Sequence, residues 1–234
     1  MNPITRNIPN SITCLNLAAG LMSIVCAFGG AEPLWGLKAY EWAFIFIGIA
    51  AVADFLDGFA ARALHAYSEL GKELDSLCDL VSFGVAPAMI MLNCLESVAP
   101  ETGWIKWGAL LSPVAGALRL AKFNIDTRQT SSFIGLPIPA NAIFWIGYAS
   151  MAYSGVETLV SPLWWIPVLL LESWLMISPL RLFSLKFKTW GWKGNQWRWL
   201  LIVTAIVLVS VMGVPGLMWL IVAYLLYGIA AGGK

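Results

Sequence analysis

Eight apolar runs dominate this chain, and each is long enough, or nearly so, to cross the hydrocarbon core of a bilayer. That core is about 30 Å thick and requires about 20 helical residues. Backbone groups in hydrocarbon must satisfy their hydrogen bonds internally, so each run is predicted to be a helix. The expected fold is all-α, a polytopic membrane helix bundle of about eight transmembrane helices. The runs lie near residues 12–29, 40–61, 74–94, 104–121, 137–153, 160–178, 198–212 and 215–231.

The last two runs are separated only by Gly213, Val214 and Pro215. A short Gly- and Pro-containing interruption is typical of a turn, but it is also compatible with one kinked helix. The boundary between the seventh and eighth spans therefore stays open at this point.

Charged residues make up only 12 % of the chain, and their order predicts a topology. Lys and Arg collect in alternate loops, as expected of cytoplasmic loops, and only Lys38 and Lys106 fall on the other side. Both termini are therefore expected in the cytoplasm. Glu32, Glu41, Glu96, Glu101 and Glu157 would face outward. The net charge of +1 and the lack of a basic run indicate no nucleic-acid partner. The inner set is Arg6, Arg62, Lys72, Arg119, Lys122, Arg128, Arg181, Lys186, Lys188, Lys193, Arg198 and Lys234.

Four aspartates fall inside the second and third spans, where an uncompensated acid at mid-bilayer costs about 2.5 to 3.5 kcal/mol. Asp54 and Asp57 are spaced i,i+3, and Asp75 and Asp79 are spaced i,i+4, so each pair lies on one helical face. If the two helices face each other, the four carboxylates form a compact cluster beneath the cytoplasmic surface. Hard oxygen ligands suit Mg²⁺, Mn²⁺ or Ca²⁺, and two such ions would balance the four charges.

Small residues accompany the acids. Gly58 and Ala61 follow the first pair, and Gly71 shares a helical face with the second. Minimal side chains let a backbone or a bulky phosphate approach closely. Arg62 adds a fork of donors suited to a diphosphate, although an arginine at this position is also a common membrane anchor.

Together these residues read D-x2-D-G-x2-A-R-x8-G-x3-D-x3-D from Asp54 to Asp79, with every defined position matched. The pattern is similar to the signature of the CDP-alcohol phosphotransferases. The resemblance implies a six-helix catalytic core over about residues 1–178 of a single domain, 1–234, with a cytoplasmic loop and a helix pair over about 179–234. It further implies a CDP-linked donor, release of CMP, two divalent metal ions (Mg²⁺ or Mn²⁺, with Ca²⁺ also compatible) and a homodimer.

The family's roles transfer onto matching positions of this chain. The resemblance implies metal ligation by Asp54, Asp57, Asp75 and Asp79, and it gives Asp79 the position of the catalytic base. It also implies that a larger set of residues binds CDP. For Asn10, helix capping is nearly as good an explanation. That set is Gly58, Ala61, Arg62, Gly71, Asn10, Thr13, Asn16 and Ser68.

Three later segments resemble the phosphatidylserine synthase branch of this family: Ser82 to Pro87, Arg119 to Asn124, and Gly135 to Ala140. They imply CDP-diacylglycerol as donor and L-serine as acceptor. A serine site needs a cation for the carboxylate and oxygen acceptors for the ammonium, and Arg119 and Asn124 are the candidates. For Arg119 the alternative is a snorkelling membrane anchor.

Two other functions stay open. A different acceptor, glycerol 3-phosphate or inositol, is compatible with the same signature. An ion or proton transporter would also place acids in the membrane. Against transport, the four aspartates cluster near one surface, and Glu172 is the only acid that could serve as a partner in the outer half of the spans.

Overall fold

The computed structural model describes residues 3–125, 132–156, 161–184, 191–192 and 194–232. The chain is almost entirely helical within these ranges, which confirms the all-α prediction, and every predicted run coincides with helix. The helices are α1 (Pro3–Ala27), α2 (Ala39–Ala63), α3 (Glu69–Asp79), α4 (Ala86–Val98), α5 (Leu111–Ile125), α6 (Ile138–Tyr153), α7 (Pro162–Ile177), α8 (Gln196–Met212) and α9 (Gly216–Ala230), with a 3₁₀ helix over Pro100–Leu110.

Among the described residues, three helical stretches are long and apolar enough to cross a membrane: Asn7–Ala27, Ala39–Ala63 and Glu69–Val98. Three further apolar helices, α7, α8 and α9, are shorter. The chain is therefore an integral membrane protein by length and composition of its helices, as its apolar runs predict.

The last apolar stretch forms two helices. Gly213 ends α8 with φ of 65°, a backbone conformation that glycine adopts without strain. The Thr204 and Tyr227 hydroxyls then lie 3.1 Å apart across the pair. This contact requires α8 and α9 to fold back on each other as a helical hairpin.

Two short antiparallel ribbons join the helices. Pro33–Leu34 (β1) pairs with Leu37–Lys38 (β2) in the connection between α1 and α2. Ser132–Ile134 (β3) pairs with Arg181–Phe183 (β4), so the segments after α5 and after α7 are tied together. Beyond β3, the Gly135 and Leu136 amides donate to the Leu180 and Leu175 carbonyls at 2.8 and 2.9 Å, which fixes the start of α6.

A π-helical turn, Leu80–Val85, joins α3 to α4 within one continuous helix. Pro87 has no amide hydrogen to donate to the Phe83 carbonyl, which favours widening of the helix just before it. On α1, a Cβ added to Gly20 would lie 2.2 Å from the Ser82 Oγ and 2.8 Å from the Ser82 Cα. The glycine thus allows α1 to cross directly over the π turn.

The segments from Ser82 and from Gly135 meet at Ile138. A Cβ on Gly84 would lie 3.4 Å, and one on Gly116 2.6 Å, from the Ile138 Cδ1 atom. Ile138 therefore fills a notch formed by glycines on the π turn and on α5. This packing positions α5 and α6 against the helix that carries Asp75 and Asp79.

The C-terminal hairpin joins the bundle through α9, which packs on α6 and β4. A Cβ on Gly147 of α6 would lie 2.2 Å from the Met218 backbone nitrogen, so the two helices touch backbone to backbone. The Tyr224 hydroxyl donates to the Phe183 carbonyl at 3.0 Å. The division of the single domain near residue 178 stays a prediction.

Part of the predicted charge order lies outside the described residues. This applies to Arg128, Glu157, Lys186, Lys188, Lys193 and Lys234, and to the side chain of Arg6. Lys106 and Glu96, both predicted to face outward, form a salt bridge with each other.

Candidate active site

Three carboxylates converge between α2 and α3. One oxygen each from Asp54, Asp57 and Asp75 lies within 4.8 Å of the other two. The carboxylates of Asp54 and Asp75 thus lie close together on facing helices. The i,i+3 spacing places the first two acids on one face of α2, and the short connection turns α3 back so that Asp75 faces them.

The polar atoms of this group fit a divalent metal ion. The Asp57 Oδ2 and Asp75 Oδ1 atoms are buried, and within the described ranges neither has a hydrogen-bond partner. Neither Lys nor Arg forms a salt bridge to the three acids in the same ranges. A buried unpaired polar atom costs about 1 to 3 kcal/mol, and more when charged. Hard divalent cations bound by carboxylate oxygens would remove this cost.

The prediction of one compact cluster of four carboxylates is wrong in one respect: Asp79 lies one helical turn beyond Asp75 and is outside this group of three. It is only 9 % exposed, and its Oδ1 accepts a hydrogen bond from the Asn16 Nδ2 at 3.2 Å. Asn16 is held in turn by Ser82, whose Oγ donates to the Asn16 backbone carbonyl at 3.0 Å. The π turn and α1 thus orient Asp79 separately from the other acids.

A cleft of about 570 Å³ opens beside the acids. This volume is within the usual range of ligand sites, about 300 to 1,000 Å³. Asp57 and Asp75 lie in its wall, while Asp54 and Asp79 do not line it. It is lined by Pro9, Asn10, Thr13, Asp57, Gly58, Ala61, Ala66, Tyr67, Ser68, Glu69, Gly71, Lys72 and Asp75.

The first turn of α3 forms part of the cleft wall and packs closely against α1 there. A Cβ on Gly71 would lie 3.0 Å from both the Asn10 Oδ1 and the Ser68 Oγ. Ser68 is the N-cap of α3, and its Oγ accepts from the Gly71 amide at 3.0 Å. Helix capping alone therefore explains a serine at position 68, whether or not Ser68 also binds CDP. The amide end of a helix facing a cleft favours a phosphate there.

Of the other residues predicted to bind CDP, Gly58, Ala61 and Thr13 line the cleft directly. The Thr13 Oγ1 donates to the Pro9 carbonyl at 3.0 Å. Arg62 is exposed at the C-terminal end of α2, and its Nη1 would lie 3.8 Å from a Cβ on Gly58. The guanidinium therefore lies beside Gly58, although Arg62 itself does not line the cleft.

Arg119 is buried, with only 7 % of its surface exposed. This burial excludes a role as a snorkelling membrane anchor. Its guanidinium lies 5.3 Å from the Phe123 ring centroid and interacts electrostatically with Asp79 and Tyr224. Its Nε has no hydrogen-bond partner among the residues that the structure describes. A buried, incompletely paired guanidinium is suited to binding a carboxylate.

Asn124 lies one to two turns from Arg119, at the C-terminal end of α5. Its Nδ2 donates to the Ser76 Oγ at 2.9 Å, and its backbone carbonyl accepts from the Lys72 Nζ at 3.1 Å. Both contacts tie α5 to the helix that bears Asp75. Asn124 is therefore engaged in helix packing at the edge of the acid site.

Sequence reasoning missed several residues at this site. Tyr67 and Lys72 line the cleft, and Ser82 supports Asn16. For Tyr67, the only feature of the sequence that could have indicated a place in the cleft is its position directly before Ser68. The role of Ser82 depends on how α1 crosses the π turn, which spacing along the chain does not specify.

Comparisons with known proteins agree with this geometry. Residues 6–177 match the family model described as CDP-alcohol phosphatidyltransferase. Three relatives bear the name CDP-diacylglycerol–serine O-phosphatidyltransferase. The relative from Mycobacterium leprae is 42 % identical over 62 % of this chain, and that from Bacillus subtilis is 42 % identical over 56 %. The relative from Helicobacter pylori is 31 % identical over 94 % of the chain.

The coverage of these relatives differs. The chain spans about half, 47 %, of the Mycobacterium leprae protein and 69 % of the Bacillus subtilis protein. It spans 89 % of the Helicobacter pylori protein.

Proposed function

Because the chain belongs to the CDP-alcohol phosphatidyltransferase family, we propose that it transfers the phosphatidyl group of CDP-diacylglycerol to the hydroxyl of L-serine. The products would be phosphatidylserine and CMP. The observation that carries this proposal is the convergence of Asp54, Asp57 and Asp75 beside a nucleotide-sized cleft. The names of the three relatives support serine as the acceptor.

The cleft offers a suitable place for the CDP portion of the donor. Gly58, Ala61 and Gly71 leave room along its walls, and the amide end of α3 faces it. Lys72 lines the cleft and Arg62 lies beside Gly58, so both would supply positive charge near the phosphates. The acyl chains of the donor would remain in the bilayer, which explains why the acids lie within membrane helices yet near one surface.

Asp54, Asp57 and Asp75 would hold the divalent metal ions, Mg²⁺ or Mn²⁺, with Asp79 as a further ligand. Bound ions would supply positive charge to the diphosphate oxygens as the bond to CMP breaks. The protein's own contribution is to keep the carboxylates fixed on two helices and to hold the nucleotide in the cleft, since positioning is a large part of phosphoryl transfer.

Asp79 is proposed as the general base. The serine oxygen forms a bond to the donor's lipid-linked phosphorus, the bond from that phosphorus to the CMP oxygen breaks, and the serine hydroxyl proton passes to Asp79. The Asn16 amide fixes one carboxylate oxygen at 3.2 Å and leaves the other oxygen for the proton. A base must be oriented in this way before its proton affinity matters.

The test of the acceptor is a CMP-release assay with purified protein and CDP-diacylglycerol. We expect release with L-serine and little release with glycerol 3-phosphate or inositol at equal concentration. Preferential release with either of the other alcohols would assign the chain to a different acceptor. A transporter would release no CMP with any of the three.

Arg119 is proposed to bind the serine carboxylate, with Asn124 as a second contact for the serine headgroup. We expect Arg119→Lys to raise the KM for serine about 10-fold or more, because lysine keeps the charge but loses the bidentate fork. The KM for CDP-diacylglycerol should stay within about twofold of wild type. Lys122→Gln, an exposed position one turn along α5, is the matched control. Equal effects on both KM values would remove Arg119 from the acceptor site.

We propose that the acids face the cytoplasm and that both termini lie there, on the basis of the Lys and Arg order along the loops. Single cysteines at two exposed positions test this orientation in intact cells. Glu101→Cys should react with a membrane-impermeant maleimide, while His65→Cys should react only after the cells are opened. The reverse pattern would invert the topology.

A further inference from the structure

The short connection between α2 and α3, residues 64–68, contains Tyr67, which has no role in the proposed mechanism. Tyr67 is 72 % exposed, although its neighbour Ala66 is 6 % exposed. Tyr67 lines the cleft together with Ser68 and Gly71. Among the described residues that line this cleft, Tyr67 is the only aromatic one.

The backbone on both sides of Tyr67 is fixed. The Ala66 amide donates to the Ala61 carbonyl at 2.9 Å, and the Lys72 amide donates to the Ser68 carbonyl at 3.1 Å. His65 has φ of 51°, which a residue other than glycine adopts only where the surrounding structure requires it. The exposed ring is thus presented from an ordered turn, and a ligand that binds it need not order the loop.

The positions of the other groups indicate what the ring would contact. Asp57 and Asp75 lie in the wall of the cleft, and the amide end of α3 and Lys72 are suited to phosphates. Tyr67 belongs to the loop that leads into α3, on the cytoplasmic side of these groups. A nucleoside diphosphate whose phosphates lie at the acids would extend its base toward this loop.

We propose that Tyr67 stacks on the pyrimidine base of the CDP portion of the donor. This assignment rests on the proposed function and extends it to a base-contacting residue. Stacking on an aromatic ring requires only a π face and contributes about 5- to 150-fold to affinity per base. The remaining side chains that line the cleft offer no comparable flat surface for a base.

The experiment compares CDP with inorganic diphosphate, each titrated calorimetrically in Mn²⁺ against the purified full chain. Tyr67→Ala should weaken CDP binding by about 5-fold or more and leave diphosphate binding within about twofold of wild type. Tyr67→Phe keeps the ring and should bind CDP within about twofold of wild type. Leu70→Ala changes a side chain that is 70 % exposed on the first turn of α3 and does not line the cleft, so it should change neither affinity.

Two results would overturn the assignment of Tyr67. In the first, Tyr67→Ala binds CDP as wild type does. In the second, it loses CDP and diphosphate equally, which would mean that the ring supports the loop rather than the base. A wild-type protein that binds diphosphate but has no preference for CDP would contradict the proposed function itself, and the stacking assignment with it.

Discussion

Asp79→Asn is expected to lower serine turnover by at least about 10²- to 10⁴-fold while the variant keeps much of its nucleotide affinity. Asparagine has nearly the same shape, and its amide oxygen can still accept the Asn16 hydrogen bond that Asp79 accepts at 3.2 Å. The variant should therefore fold and still bind the donor through the three other aspartates, and it lacks the group that takes the serine proton. Single-turnover transfer and CDP-diacylglycerol binding, measured on the same preparation, test both parts.

The other outcomes of the Asp79 experiment are informative. Turnover close to wild type would remove Asp79 from the role of base. Parallel loss of binding and turnover would make it a metal ligand, which the family resemblance also implies. Asn16→Leu is the matched variant, because it removes the contact that orients Asp79 and leaves the carboxylate in place. It should reduce kcat more than it raises either KM.

Asp75→Asn is expected to abolish metal-dependent binding of CDP. The buried Asp75 Oδ1 has no hydrogen-bond partner within the described part of the chain, and one Asp75 oxygen lies within 4.8 Å of an Asp54 oxygen across the gap between α2 and α3. The substitution removes a negative ligand from a group of three and should weaken the site for hard divalent cations. Calorimetric titration of Mn²⁺, with and without CDP, measures the loss directly.

Thermal unfolding provides a second readout for Asp75→Asn that is independent of catalysis. Saturating Mn²⁺ should stabilise the wild type, by about 2.7 kcal/mol at 100 times its Kd, and should not stabilise the variant. Without metal, the variant should be at least as stable as wild type, because it removes repulsion among neighbouring carboxylates. Glu73→Gln, an exposed acid on the same helix, is the control. Unchanged Mn²⁺ affinity in Asp75→Asn would contradict the metal assignment.

The helical spans could be predicted from sequence because the bilayer leaves few alternatives. Long apolar runs must become helices, and α2 and α6 begin and end within two residues of their predicted bounds. The first span was less well bounded. Its helix begins at Pro3 rather than near residue 12, because polar residues beyond the hydrocarbon can continue a helix that hydropathy does not detect. The separate identity of α8 and α9 required the structure.

The candidate site could be predicted in part for a similar reason. Helical spacing correctly placed Asp54 and Asp57 on one face and opposed them to Asp75, since i,i+3 and i,i+4 periodicity depends on helix geometry alone. Residue spacing does not specify how other helices, such as α1 and α5, cross α2 and α3. The contact of Asn16 with Asp79, the π turn at Ser82 and the burial of Arg119 all depend on such crossings. Their roles in the reaction stay predictions.

The most direct measurement of the central claim uses the purified chain in lipid vesicles with CDP-diacylglycerol and radiolabelled L-serine. With Mg²⁺ or Mn²⁺ present, we predict labelled phosphatidylserine and an equal amount of CMP, and we predict that a chelator stops both. Failure to label lipid with either metal, or transfer that continues unchanged in excess chelator, would contradict the account.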